Sequence, residues 1–266
     1  MKGFLSNSFE TDSIRIGMIV PSSNVTMEKE VPRILHRREL AFPEKFSFHS
    51  SRVSMKRVDP ESLLAMNQHA DRAALDLADA SVDVILYACL VAIMVQGPGA
   101  HREIEKQLEN TILNANASVP VITSAGALVN TLLEINAGKI ALIAPYMPPL
   151  TTKVCQYLEN EGVEVVSAQS LSVADNCAVG RLNPANLLDL LDNIPQSAEA
   201  IVLSACVQMP SLDMIAEAEK ITGLPVVTAA AATVYQALKT LGLKPGIQRF
   251  GSLLEGSAIL ESSLAA

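Results

Sequence analysis

The chain has 266 residues, 49% of them hydrophobic and only 4% aromatic, with no Trp and a net charge of −8. That length supports a sizeable aliphatic core, as one large domain or two small ones. The acidic balance, with no basic run longer than "HRR" at His36 to Arg38, speaks against a nucleic-acid surface, and the longest apolar run, Val84 to Val95, is shorter than the roughly 20 residues that cross a bilayer. Strands and helices then alternate in chain order. "IRIGMIV" reads as a strand, Pro21 to Asn24 as a turn, and "TMEKEVPRIL" as a helix start. "FSFHSSRVSM" alternates like a strand. "DPESLLAMNQHADRAALDLADA" predicts one long amphipathic helix with Asp59 as cap and Pro60 in its first turn. "VDVILYAC", "AHREIEKQLENTIL", "VPVITSA" and "ALVNTLLEINAG" follow as strand, helix, strand and helix.

The order then begins again. "KIALIAP" is a strand, "LTTKVCQYLENEG" a helix and "VEVVSAQS" a strand. "NPANLLDLL" opens a helix with Asn183 as cap. "AEAIVLSAC", "SLDMIAEAEKITG", "LPVVTA" and "AAATVYQALKTLG" complete the series. Four stretches of the first half recur in order in the second. "IGMIVP" matches "IALIAP", and "DPESLLAM" matches "NPANLLDL". "LYAC" matches "LSAC", and "VPVIT" matches "LPVVT". One such match is noise, but four in sequence argue for duplication. The expected fold is α/β: two lobes related by a pseudo-twofold axis, each a four-stranded parallel sheet flanked by helices.

The duplication delivers one cysteine to each of two equivalent strand ends, Cys89 and Cys206. Ligands of open parallel sheets sit outside such ends, so the two thiols are expected to face one cleft. Each cysteine precedes a predicted helical stretch, whose free N–H groups lower a thiol pKa and cradle carboxylates. Two thiols across one substrate act as base and acid, or as nucleophile and proton carrier. No C-x-x-C pair, nucleotide loop or zinc motif is present, so no cofactor and no metal are expected. Taken singly, a cysteine in an α/β core is more often apolar filler. That reading is kept for Cys155 and Cys177. His36, His49, His69 and His101 receive no catalytic role.

"VPSSNVTME", "YACLVAIM", "APYMPPLT", "DNCAVGRLNP" and "SACVQMPS" together resemble the maleate cis–trans isomerase branch of the aspartate/glutamate racemase superfamily, over nearly the whole chain. The resemblance implies a site between two lobes, no cofactor, a small dicarboxylate substrate (maleate) and a homodimer or higher homo-oligomer. It implies that Cys89 is the nucleophile and Cys206 the residue that moves the proton. It also implies that Asn24, Tyr146 and Asn176 hold the two carboxylates, beside Leu90, Val91 and Val207, whose backbone amides complete the cradles. The lobes are expected at 1–125 plus about 229–266, and at 126–228. The N-terminal "MKGFLSNSFETDS" carries acids and no long apolar stretch, so no signal peptide is expected and a cytoplasmic location is.

Simpler roles stand beside these. Asn24 precedes a helix and suits an N-cap. Tyr146 suits a surface turn, and Asn176 a turn residue. The rival activity is an amino-acid racemase with both thiols as an acid/base pair. Such racemases resemble one another in an Asn-Thr after the first cysteine, whereas Leu90 and Val91 stand here and cannot bind an ammonium group. An arylmalonate decarboxylase relies on the second cysteine alone. A non-catalytic two-lobed dicarboxylate-binding protein has no need of a duplicated thiol.

Overall fold

The structure is a computed structural model that describes residues 13–55 and 57–258. The N-terminal stretch read for a signal peptide, apart from Ser13, lies outside the described residues, as does the end of the expected return segment at 259–266. In chain order the elements are β1 (Ile14–Pro21), α1 (Met27–Arg38), β2 (Phe46–Val53), α2 (Pro60–Gln68), α3 (Ala70–Asp79), β3 (Val84–Tyr87), α4 (Leu90–Met94), α5 (Ala100–Asn114), β4 (Val121–Thr123) and α6 (Ser124–Glu134). The second half contains β5 (Lys139–Ala144), α7 (Pro148–Asn160), β6 (Glu164–Ser170), α8 (Asn176–Val179), β7 (Ala200–Ser204), α9 (Ile215–Thr222), β8 (Val226–Thr228), α10 (Ala229–Thr240) and α11 (Ser252–Glu255), with 3-10 helices at Pro184–Asn193 and Leu212–Met214.

Among the described residues the strands form two four-stranded sheets with the same order, β2-β1-β3-β4 and β6-β5-β7-β8, and every pairing is parallel. The expected pair of like sheets is therefore what the chain forms. The central strands β3 and β7 are buried along their whole length, as continuous apolar runs covered on both faces must be. The edge strands β2 and β6 are only partly buried and carry the polar residues.

The halves correspond down to their caps. Thr123 begins α6 by accepting the Gly126 N–H, and Thr228 begins α10 by accepting the Ala231 N–H. These two helices pack on each other, with the Thr233 hydroxyl donating to Ser124 Oγ at 3.0 Å and Gln236 donating to Thr131. Both helices begin with buried small side chains, Ser124 to Ala127 on one and Ala229 to Ala232 on the other. α10 also packs on α1, β3 and β4, so the chain's last long helix returns to the first sheet.

Four predicted elements differ. The long helix over 59–80 is two helices broken at His69, whose ψ of 0° is not helical. The break lets α2 pack on α4 while α3 packs on α5 and β2. Asn67 fixes the first contact, with Nδ2 donating to the Ala92 carbonyl at 2.7 Å and Oδ1 accepting from the Tyr87 hydroxyl. The segment after Asn183 winds as a 3-10 helix rather than an α-helix. Asn186, Asp189, Asp192 and Asn193 crowd it with short side chains that compete for backbone groups. The strands read at "VPVITSA" and "LPVVTA" end at Thr123 and Thr228, because each threonine caps a helix instead of extending the strand.

Ala230 stands one turn before Thr233 on the same face and is almost fully buried. We expect Ala230→Leu to destabilise the fold by about 1–3 kcal/mol, read as a lower urea midpoint with an unchanged m-value.

Candidate active site

All eight residues singled out from sequence line one cavity. Cys89, Leu90 and Val91 come from the end of β3 and the start of α4. Cys206 and Val207 come from the loop after β7. Asn24 precedes α1, Tyr146 follows β5, and Asn176 opens α8. The cavity is closed down to about 20 Å³, room for about one water. Val58 and Tyr146 also line a wider, mainly apolar groove of about 560 Å³ on its outer side.

Asn24 does two things at once. Its Oδ1 accepts the Thr26 and Met27 N–H groups at 2.9 and 3.1 Å, which starts α1. Its Nδ2 faces the other lobe and donates to the Val207 carbonyl at 3.4 Å. The helix cap thereby aims a donor into the cavity. Asn176 begins α8, where the Asp175 side chain accepts the Cys177 N–H, and its Nδ2 donates to Ser23 Oγ at 2.7 Å. Tyr146 is buried rather than at the surface, with its hydroxyl beside the Cys206 thiol.

The thiols correct one expectation. Burial pushes Cys89 up to about 12, the neighbouring Cys206 adds to the rise, and the Ala92 N–H opposes it. Burial also raises Cys206, against the Tyr146 hydroxyl and the N–H groups of Gln208 and Met209. The predicted lowering by helix starts is outweighed. α4 runs for only five residues, and Cys206 is followed by a turn rather than a helix. Removal from water disfavours a thiolate more than these few N–H groups favour it. Both thiols therefore rest as neutral S–H groups.

The loop carrying Cys206 is held by α1. The Thr26 hydroxyl donates to the Gln208 carbonyl at 2.7 Å, and Glu30 Oε1 accepts the Ser211 and Leu212 N–H groups at 3.0 and 3.1 Å. Glu30 is buried, its Oε2 has no hydrogen-bond partner, and burial raises its pKa. Four further residues line the cavity and escaped the sequence reading: Pro21, Met55, Val58 and Gln208. Gln208 lies inside "SACVQMPS", where a lone amide in an apolar loop was the available signal. Met55 and Val58 come from the loop after β2, which carries no motif.

The remaining cysteines lie elsewhere. Cys155 is half-buried on α7, whereas Cys177 is exposed, not the filler it was read as. His101 is buried between α5 and α7, its Nδ1 against the Tyr157 hydroxyl, and does not line the cavity. Among the described residues no three His, Cys, Asp or Glu side chains gather as a metal site, and no helix is long and apolar enough to cross a membrane.

Known proteins share this architecture. A sequence profile of the family described as arylmalonate decarboxylase matches residues 16–254. A maleate isomerase from Alcaligenes faecalis is 51% identical over 244 residues, which is 91% of this chain and 96% of the relative. Among solved structures, a cysteine-to-alanine variant of the maleate isomerase Iso from Pseudomonas putida S16 with maleate has a TM-score of 0.91 at 46% identity, covering 93% of this chain and 99% of that one. A cysteine-to-serine variant of Nocardia farcinica maleate cis-trans isomerase, with a covalently bound succinylcysteine intermediate, has a TM-score of 0.87 at 43% identity, covering 91% and 98%.

A thiol whose pKa lies near 12 is mostly protonated at neutral pH, and its reactive fraction grows with pH. We expect iodoacetamide to label exposed Cys177 before Cys89, and the Cys89 rate to climb roughly tenfold per pH unit between about pH 7 and 9. Peptide mass spectrometry reads both rates; a Cys89 rate that is flat over this range contradicts a resting neutral thiol.

Proposed function

Since the chain belongs to the maleate isomerase family, within the wider group of the arylmalonate decarboxylase profile, we propose that it isomerises maleate to fumarate through a covalent S-succinyl adduct on Cys89. The observation that carries this reading is the meeting of two buried thiols and the side chains of Asn24, Tyr146 and Asn176 around one interlobe cavity.

Direct rotation about the C=C bond of maleate is prohibitive at ambient temperature. Addition of the Cys89 sulfur to C2 turns C2–C3 into a single bond, and the electron pair moves toward the far carboxylate. As the sulfur adds, the Cys206 thiol gives its own proton to C3 and takes up the Cys89 proton in the same exchange, which leaves Cys206 as it began. Rotation about C2–C3 separates the carboxylates. In the reverse exchange the C2–S bond breaks as Cys206 gives its proton to the departing Cys89 sulfur and takes one from C3 in its place, so both thiols are neutral when fumarate departs. Neutral resting thiols suit this exchange, because a net addition of S–H needs no ionised group beforehand. Asn24 Nδ2, Asn176 Nδ2 and the Tyr146 hydroxyl serve as donors to the carboxylate oxygens, together with N–H groups at Leu90, Val91 and Val207.

The closed cavity is too small for a four-carbon diacid. Binding therefore requires its walls to part, and Val58 and Tyr146, shared with the outer groove, are the side chains in the way. Leu90 and Val91 are buried apolar residues beside Cys89, which suits a planar CH=CH unit and offers nothing to an amino group. That disfavours the racemase reading. The proposal extends to a cytoplasmic homodimer or larger homo-oligomer that uses no cofactor, with lobes at 1–125 plus about 229–266 and at 126–228. Light scattering tests the assembly.

Proton NMR of the wild-type chain with maleate is expected to show fumarate growing in. We expect Cys89→Ser to lower turnover by about a thousandfold or more. With maleate, Cys206→Ser is expected to gain the mass of one maleic acid on the Cys89 peptide. Undiminished turnover in Cys89→Ser ends the nucleophile assignment, and an unmodified Cys89 peptide in slowly turning Cys206→Ser ends the covalent route.

A further inference from the structure

We propose that Gln208 is a positioning residue for the substrate: its side-chain amide ties the Asn24 loop to the start of α8, so that both carboxylate-holding asparagines face the cavity together. The proposal rests on the isomerase reading above and adds a residue to it.

Gln208 lies two residues beyond Cys206 and is 2% exposed. Its Oε1 accepts the Val25 N–H at 2.9 Å, and its Nε2 donates to the Ser23 carbonyl at 2.9 Å and to the Asn176 carbonyl at 3.1 Å. One amide thus spends its oxygen and both N–H groups on two segments from different halves of the chain. The residues on either side of Asn24 and the backbone of Asn176 itself are the partners. No shorter or singly polar side chain makes all three bonds: a carboxylate has no donor and an ammonium no acceptor. Among the described residues the asparagines are otherwise linked only through Ser23, whose hydroxyl accepts from Asn176.

A second observation points the same way. Gly180 closes α8 with φ −67°, a conformation open to any residue. Its need for glycine is spatial, since a Cβ there would stand 2.7 Å from Gln208 Nε2 and 3.1 Å from its Cδ. The space beside the amide is kept clear by a residue whose backbone does not ask to be glycine. Gln208 also anchors its own loop through its backbone, with its N–H toward Cys206 Sγ at 3.4 Å and its carbonyl accepting from Thr26. Those bonds survive side-chain truncation, so the side chain can be tested apart from the loop. Cys89, at the start of α4, receives no hydrogen bond from Gln208.

The test compares Gln208→Ala and Gly180→Ala with the wild-type chain. Truncation removes the amide, and the added methyl displaces it without deleting a polar group. In both variants KM for maleate is expected to rise about tenfold, with a smaller fall in kcat. In a chain carrying Asn24→Ala and Asn176→Ala, adding Gln208→Ala should change the maleate Kd by less than about twofold, read as protection of Cys89 from iodoacetamide. A wild-type KM in both variants overturns the proposal. So does a full loss on adding Gln208→Ala to the double variant, since Gln208 would then act without the asparagines. If Gln208→Ala does not fold, Gly180→Ala decides. Failure of the wild-type chain to make fumarate defeats the isomerase reading; wild-type turnover with an unmoved KM in the variants defeats the Gln208 role alone.

Discussion

A thiol walled off from water keeps its proton, and that constraint governs the rest of the site. Cys89 and Cys206 sit in a crevice with room for about one water, and burial is the largest influence on both. The same dryness that withholds the nucleophile strengthens every donor aimed at a carboxylate, because few solvent dipoles compete. On the proposed mechanism the two effects are linked. The sulfur becomes nucleophilic only while a substrate carbon receives it and the second thiol exchanges the proton, so an idle active site holds no exposed thiolate for oxidants or stray electrophiles.

Val58 and Tyr146 must yield to admit a diacid, but the loop bearing Cys206 is held in place, and the start of α1 supplies much of that order. Asn24 caps the helix with its oxygen and leaves its nitrogen toward the other half. Thr26, just before the helix, and Glu30, in its first turn, fasten two points of the loop that bears Cys206. Glu30 does so with one oxygen satisfied twice and the other unpaired, a costly arrangement in a buried carboxyl. The loop it fastens starts the 3-10 turn that leads into α9, where unpaired N–H groups favour a carboxylate.

Much of this was legible from residues alone, for identifiable reasons. The duplication showed because strand ends and cap positions tolerate few residue types: "VPVIT" and "LPVVT" both end in the threonine that starts a helix. Cys89 and Cys206 showed because the duplication puts them after matching strands, whereas Asn24, Tyr146 and Asn176, which alone suit a cap and turns, showed only through the resemblance of the motifs that carry them. Gln208 was not legible as a link, since its partners at Ser23, Val25 and Asn176 are close only after folding. The sign of the thiol shift was not legible either. A helix start after cysteine is local, whereas desolvation depends on every element that closes over the sulfur. The break at His69 depends likewise on α2 and α3 having different partners.

The two halves also diverge at the one point where symmetry would matter most. Cys89 opens a short helix, while Cys206 opens a turn pinned from outside by α1. Chemistry that inverts a stereocentre in both directions profits from paired groups that trade places with little change. This pair is chemically polarised: one sulfur has apolar neighbours on its own loop, the other a phenol and an amide-rich bend. The duplicated sulfurs thus stand in unlike surroundings, which suits the two separate tasks that the proposed mechanism gives them.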